Sequence, residues 1–308
     1  MQYVKSLIPL LFLLPFTMLL VSCDDNDVTG VDDPSEVPSL PNFNQMQMET
    51  GIFNPGAVAK EAGHEPGILS ALSTINEGYP DMGMDQETNP YQLASFLVTM
   101  LETGHFIHNT YATFFTMNVI PGTVEVSGNE FLWDFSAVDP EFGGTIDITA
   151  TAAVEGEQVL WTVIAGADGE EGGFEEQQVI DGISAFDGSS GEWSISFDVQ
   201  EDGFTFGSTA IWDSEDGQLT ALDLSTSISE DETGFYQHTE GVYALDGTSA
   251  SISNGRLQSP EYEDEGYFGE IDITQPFTVS WDTESGNGTV SIDGQTMCWD
   301  EDQMAVDC

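Results

Sequence analysis

Apolar residues recur along this chain with two different periods, and the change falls near residue 121. In the first part the spacing is helical. Ile68, Leu69, Leu72 and Ile75 follow Pro66-Gly67 and share one helical face. Asn89 then stands where a cap belongs, and Pro90 suits the first helical position. From Leu93 to Phe115 apolar side chains return at three- and four-residue steps, through Phe96, Leu97, Leu101, Ile107 and Tyr111. At roughly 100° per residue most of them fall within an arc of about 140°. The pattern predicts one long amphipathic helix, or two short ones broken near Gly104, ended by Pro121.

Beyond residue 121 the period becomes two. In "EWSISFDV" Trp193, Ile195, Phe197 and Val199 face one way and Ser194, Ser196 and Asp198 the other. "EFLWDF" repeats the pattern with Phe131, Trp133 and Phe135. Glycine-rich turns such as "SEDG", "LDGTS" and "TESGNG" punctuate these runs, as in a chain of antiparallel hairpins. The expected fold is mainly β: a curled antiparallel sheet, barrel-like meander or sandwich of about 12 strands packed on one or two helices. A recurring theme ("GTVEV", "GTIDI", "GEIDI", "GTVSI") has no regular spacing and marks a type of strand start rather than a repeat.

The amino end has a different logic. Lys5 is the only charge before Asp24, and the apolar run Leu7–Leu20 is too short to span a bilayer, which takes about 20 residues. Pro9 and Pro15 interrupt it further. A basic start, a short apolar middle and small residues at the end describe a secretory signal. Leu20-Val21-Ser22-Cys23 resembles the lipobox of bacterial lipoproteins. That resemblance covers residues 1–23 alone. It implies cleavage before Cys23, lipidation of its sulfur and new amino end, and a membrane anchor. Acids just after such a cysteine resemble an inner-membrane retention signal in enteric bacteria and a surface-export signal in another large Gram-negative group. The expected location is an exported, lipid-anchored envelope protein, on the outer membrane or cell surface in preference to the periplasmic face of the inner membrane. Residues 23–50, rich in Asp, Pro, Ser and Asn, read as a flexible tether. Residues 51–308 form the folded domain, helical over 51–121 and β over 122–308.

Charge sharpens this picture. Loss of Lys5 with the signal leaves Lys60 and Arg256 against 55 acids, a net charge of −53. Nucleic acids and anionic lipid headgroups need basic patches, so neither is expected as a partner. With 40% hydrophobic residues the chain still has material for a core. A folded protein adapted to salt is the reading that remains, with a calcium-rich envelope or mere high solubility as alternatives. Cys298 and Cys308 are left once Cys23 carries lipid, in a compartment that permits a disulfide. No CxxC spacing suggests a metal.

Candidate chemistry is sparse. Trp133, Trp212, Trp281 and Trp299 each precede an aspartate, but their spacing does not suit propeller blades of about 40 residues. Trp closing a strand and Asp opening a turn is the simpler account. The acidic turns around Asp213, Glu215 and Asp216, and around Asp168, Glu170 and Glu171, do not fit an EF-hand loop. Glu102, His105 and His108 step round the helix, with His108 on the apolar face and the other two pointing away, which is not zinc spacing. His64 and His238 stand isolated. No nucleophile elbow occurs, and no pair among so many acids can be singled out for glycoside hydrolysis. Residues 253–268 read as the longest irregular stretch of the β part. There Arg256 stands near Tyr262, Tyr267 and Phe268, a speculative ligand site. Arg256 could clamp a carboxylate or sugar acid, or pair with Glu261 or Glu263 as a structural clip. No catalytic residue, cofactor or metal site is expected.

The function that follows is a lipid-anchored, non-enzymatic binding or carrier module for an apolar or envelope ligand, by analogy of fold alone. A surface adhesin or structural module with a filled core, and a glycan-processing hydrolase with paired carboxylates, are the alternatives. A cavity, a solid core and a cleft with facing acids would distinguish the three.

Overall fold

The computed structural model describes residues 37–41, 47–53, 89–117, 119, 124–139, 144–168, 173–199, 203–230, 235–259 and 271–308. Cys23, the helical stretch expected at 68–75, and Tyr262, Tyr267 and Phe268 lie outside the described residues.

The long helix is a single element, α1 (Pro90–Thr116). The side chain of Asn89 accepts a hydrogen bond from the Tyr91 N–H at 2.9 Å, and Pro90 occupies the first turn. No break occurs at Gly104. The helix instead lies close against the sheet there: a β-carbon on Gly104 would touch side-chain atoms of Leu224 and Thr239 at 3.5 Å. The helix ends at Thr116, before Pro121 is reached.

Among the described residues fourteen strands follow. They are β1 (Glu125–Ser127), β2 (Glu130–Asp139), β3 (Gly144–Glu155), β4 (Gln158–Asp168) and β5 (Phe174–Ala185). Then come β6 (Ser190–Val199), β7 (Phe204–Glu215), β8 (Gln218–Glu230), β9 (Phe235–Asp246) and β10 (Ser249–Ser259). The last are β11 (Ile271–Asp282), β12 (Gly288–Ile292), β13 (Gln295–Trp299) and β14 (Ala305–Val306). They form one open antiparallel sheet whose spatial order is the chain order. The strands beyond the expected 12 are accounted for by short pieces such as β1 and β14, where a period of two is too brief to read. These two also form the sheet edges, and their shortness limits edge-to-edge pairing. Cys298 and Cys308 are joined by a disulfide, S–S 2.07 Å, which ties the chain beyond β14 back to β13.

Hairpin chemistry sets the register. Asp216-Gly217 and Asp293-Gly294 all have positive φ, the backbone of a two-residue type I′ turn, which matches the twist of the strands it joins. β7 meets β8 and β12 meets β13 across these turns.

The sheet curls around α1, which touches strands from β4 to β13. Trp133, Trp161, Trp193 and Trp212 form a ladder across the inner face, neighbouring ring centroids 5.9–6.3 Å apart. Small residues on adjacent strands make room for the rings: Gly182 lies under Trp193 and Gly191 under Trp212. Large and small positions thus alternate across strands, as close packing on a concave surface requires. At the far end Phe53 and Tyr91 pack against Trp299, and Phe53 meets Trp281 edge-on at 5.2 Å.

The segment assigned to the tether is in part packed. Val37 and Met48 belong to the core, Ser39 N–H donates to Phe186 O at 3.1 Å, and Glu49 O accepts from the indole of Trp281 at 3.0 Å. The packed protein therefore begins before residue 51. A few apolar anchors among polar residues leave no periodic trace, and this is why the segment read as free chain.

Candidate functional site

Two polar clusters stand out, one inside and one outside. The inner one lies between α1 and the sheet. His108 and His105 are both buried, although the helical phase placed His105 on the surface. The difference arises because the sheet wraps the helix on several sides. Ser208, Thr226 and Thr239 stand opposite one another on β7, β8 and β9, forming a hydroxyl row beneath the helix. His108 Nδ1 lies 2.9 Å from Ser208 Oγ, which lies 2.9 Å from Thr226 Oγ1. His105 Nε2 lies 3.1 Å from Asn109 Nδ2. Burial pulls His105 down to about 4, and burial together with the neighbouring His105 pulls His108 down to about 3. Glu102 also faces protein, accepting a hydrogen bond from Thr50 Oγ1 at 2.9 Å, and burial pushes its carboxyl up while that bond draws it down. One neutral imidazole on a hydroxyl and one on an amide make a structural seam. Among the described residues no three His, Cys, Asp or Glu side chains gather to hold a metal ion.

Two of the turns opened by a Trp-Asp pair close on themselves. Asp282 Oδ1 accepts backbone N–H groups of Glu284 and Ser285, and Oδ2 accepts Thr248 Oγ1. These bonds, the Ser285 amide foremost, hold its carboxyl at about 2. Asp300 accepts from Asp302 and Met304 N–H in the same way. The Trp-Asp pairing so works as expected at Trp281 and Trp299. It does not at Asp134, which sits inside β2 and accepts Thr149 Oγ1.

The outer cluster is on the face of the sheet turned away from α1. Arg256 stands on β10 and not in a loop, a correction to the stretch 253–268 whose first seven residues are strand. The reason is a β-bulge. Ser253 pairs with Val242, but Arg256 pairs with Glu240, one residue out of step. Asn254 takes φ +54° here, and Gly255 passes under the Phe277 ring. Unbulged, Arg256 would oppose Thr239 and face the core; the extra residue turns it outward. Its Nη1 donates to Glu240 Oε1 at 2.6 Å. The structural clip thus uses Glu240, while Glu261 and Glu263 lie outside the described residues.

Glu240 Oε2 in turn lies 3.4 Å from His238 Nε2. Tyr236 and His238, two apart on β9, hold parallel rings with centroids 6.5 Å apart. The alternation Tyr236, His238, Glu240 in "FYQHTEG" is a readable one-face signal. Its pairing with Arg256 is not readable, because it depends on the bulge.

Comparison with known proteins adds no relative: no family model matches the chain, and neither curated proteins nor solved structures give a significant match.

Proposed function

We propose that this protein is a lipid-anchored, non-catalytic module of a salt-adapted cell envelope that acts through its outer sheet face. The observation that carries the reading is the filled inner face: Phe96, Leu97, Val98 and Leu101 of α1 are wholly buried where a carrier would seat an apolar ligand. Among the described residues, grooves of about 570 and 390 Å³ open at hairpin ends and at the β1–β3 edge, and α1 lines neither. This favours a surface-binding module over a carrier. Cys23 supplies the anchor, and residues just after it link anchor to fold.

The test uses the full chain and its Cys23→Ala form. The native protein is expected in the membrane fraction and the variant in the soluble one. Organic extraction of the purified variant should yield far less than one lipid per protein. Stoichiometric lipid would restore the carrier reading, and unchanged membrane retention would remove the anchor.

Salt adaptation has its own measurement. The ion pairs within 4 Å among the described residues both involve Glu240, so the remaining acids meet few opposite charges. Repulsion weighs most on the compact state. Melting temperature should rise between near-zero salt and 1 M NaCl, where the screening length falls to about 3 Å. KCl should match NaCl. A flat response to both would refute salt adaptation, and a rise saturating at millimolar CaCl₂ alone would point to a specific calcium site.

A further inference from the structure

We propose that the outer cluster of Tyr236, His238, Glu240 and Arg256 is a binding site for an uncharged carbohydrate chain; this rests on the reading of the outer face as the working surface.

Stability gives little reason for the cluster. An exposed ion pair contributes about 0–1 kcal/mol, yet the one arginine of the chain is turned outward by a bulge to make it. Arg256 commits Nη1 to Glu240 and remains half-exposed, with a side-chain exposure of 48%. Guanidinium N–H groups are left to face solvent. Glu240 is steadied from two sides and is still partly open. Tyr236, 39% exposed, is among the few large rings open to solvent in the described residues, and across β8 its strand partner is Ser229, too small to cover it. Gln258 stands beside His238 on β10 and adds an amide. An open aromatic ring beside the His238 imidazole, with carboxylate, guanidinium and amide further along the same face, suits a carbohydrate chain: the ring takes the C–H face of one pyranose, and hydroxyls of a neighbouring sugar meet the planar polar groups.

Charge selects the kind of carbohydrate. Arg256 offsets Glu240, so this pair is neutral on a chain of formal net charge −52. The surrounding field repels nucleic acid, phosphate and sugar acids. A basic partner would be drawn to acids over the whole surface and gains nothing from a place where an acid is already neutralised. A neutral polyhydroxyl ligand meets neither objection.

The experiment is isothermal titration of the soluble Cys23→Ala protein in 1 M NaCl. The probes are maltohexaose, cellohexaose, xylohexaose, mannohexaose and chitohexaose, with trigalacturonate as the acidic probe. At least one neutral probe is expected to bind saturably with Kd at or below about 1 mM, and trigalacturonate not at all. Tyr236→Ala should weaken binding roughly five- to tenfold, in keeping with loss of one aromatic contact. Arg256→Gln should weaken it as well. Ile211→Ser, an exposed apolar change elsewhere on the same face, should leave it unaltered. No saturation by any neutral probe, binding of trigalacturonate alone, or equal loss in Ile211→Ser would overturn the proposal. So would full binding by Tyr236→Ala. A lipid-free protein that binds none of these sugars would end this inference and leave the surface-module reading standing. A lipid-loaded one would end that reading itself.

Discussion

A chain carrying both His105→Gln and His108→Gln is expected to hold its stability between pH 6.5 and pH 4 better than the native protein. Burial keeps these imidazoles neutral in the fold, with His105 at about 4 and His108 at about 3 against an ordinary 6.5. As pH falls below 6.5 the unfolded chain takes up protons that the folded chain refuses. Stability is therefore lost through that window, and the loss levels off only as pH passes the folded values. For His108 alone the loss between pH 8 and pH 4 is on the order of 3 kcal/mol. Glu102 works in the opposite sense, because its raised carboxyl binds a proton in the fold before it does in the open chain. The surface acids also shed repulsive charge as they protonate. Both contributions are common to the two proteins, so their difference isolates the histidines. Urea unfolding at pH 8, 6, 5 and 4 should show the variant gaining on the native protein by a few kcal/mol at the acid end. A gap that stays constant across this range would mean that the imidazoles bind protons as readily in the fold as in the open chain.

Gly182→Val is expected to destabilise the domain by about 2–3 kcal/mol, at the upper end of overpacking costs. That corresponds to roughly 4–12 °C in melting temperature for a domain of this size. A β-carbon at this position would run into the Trp193 ring and come within 2.7 Å of the Glu192 carbonyl oxygen. The ring has nowhere to go, because Trp161 and Trp212 flank it in the ladder. Adding Trp193→Leu should make the valine less costly, with a coupling of about 0.5–3 kcal/mol. The rescue should be incomplete, since the carbonyl contact remains. Thermal melts of the four proteins in the cycle supply the test. Additive effects would show that the tryptophan does not confine Gly182.

Most of the architecture was legible because it is written in short-range signals. Asn89-Pro90 announced the helix start, and alternation through Trp193, Ile195 and Phe197 announced a strand that buries those residues. The curled sheet of hairpins followed from the Asp-Gly turns. What depends on enclosure by distant segments was not legible. His105 reads as a surface residue until strands close over it from outside the helix. Val37 and Met48 read as tether until a core exists to receive them. Arg256 reads as loop because the bulge at Asn254-Gly255 breaks the period of two where its side chain is aimed. For the outer site, the alternation of Tyr236, His238 and Glu240 went unread, with His238 standing as an isolated residue, and Arg256 was visible only as a single charge in a supposed loop.

The strict agreement between spatial and chain order carries a kinetic consequence. Each strand finds its partner one hairpin away, so every step of sheet growth closes only a short loop. For the sheet itself this keeps the separation of contacting residues low for a β protein, and low contact order speeds folding. The helix is the exception. It precedes the whole sheet in the chain yet touches strands as far along as β13. As the chain is made, α1 is therefore the first large element among the described residues to emerge and the last to be enclosed. Its apolar face must wait, unpartnered, until the meander behind it has zipped shut.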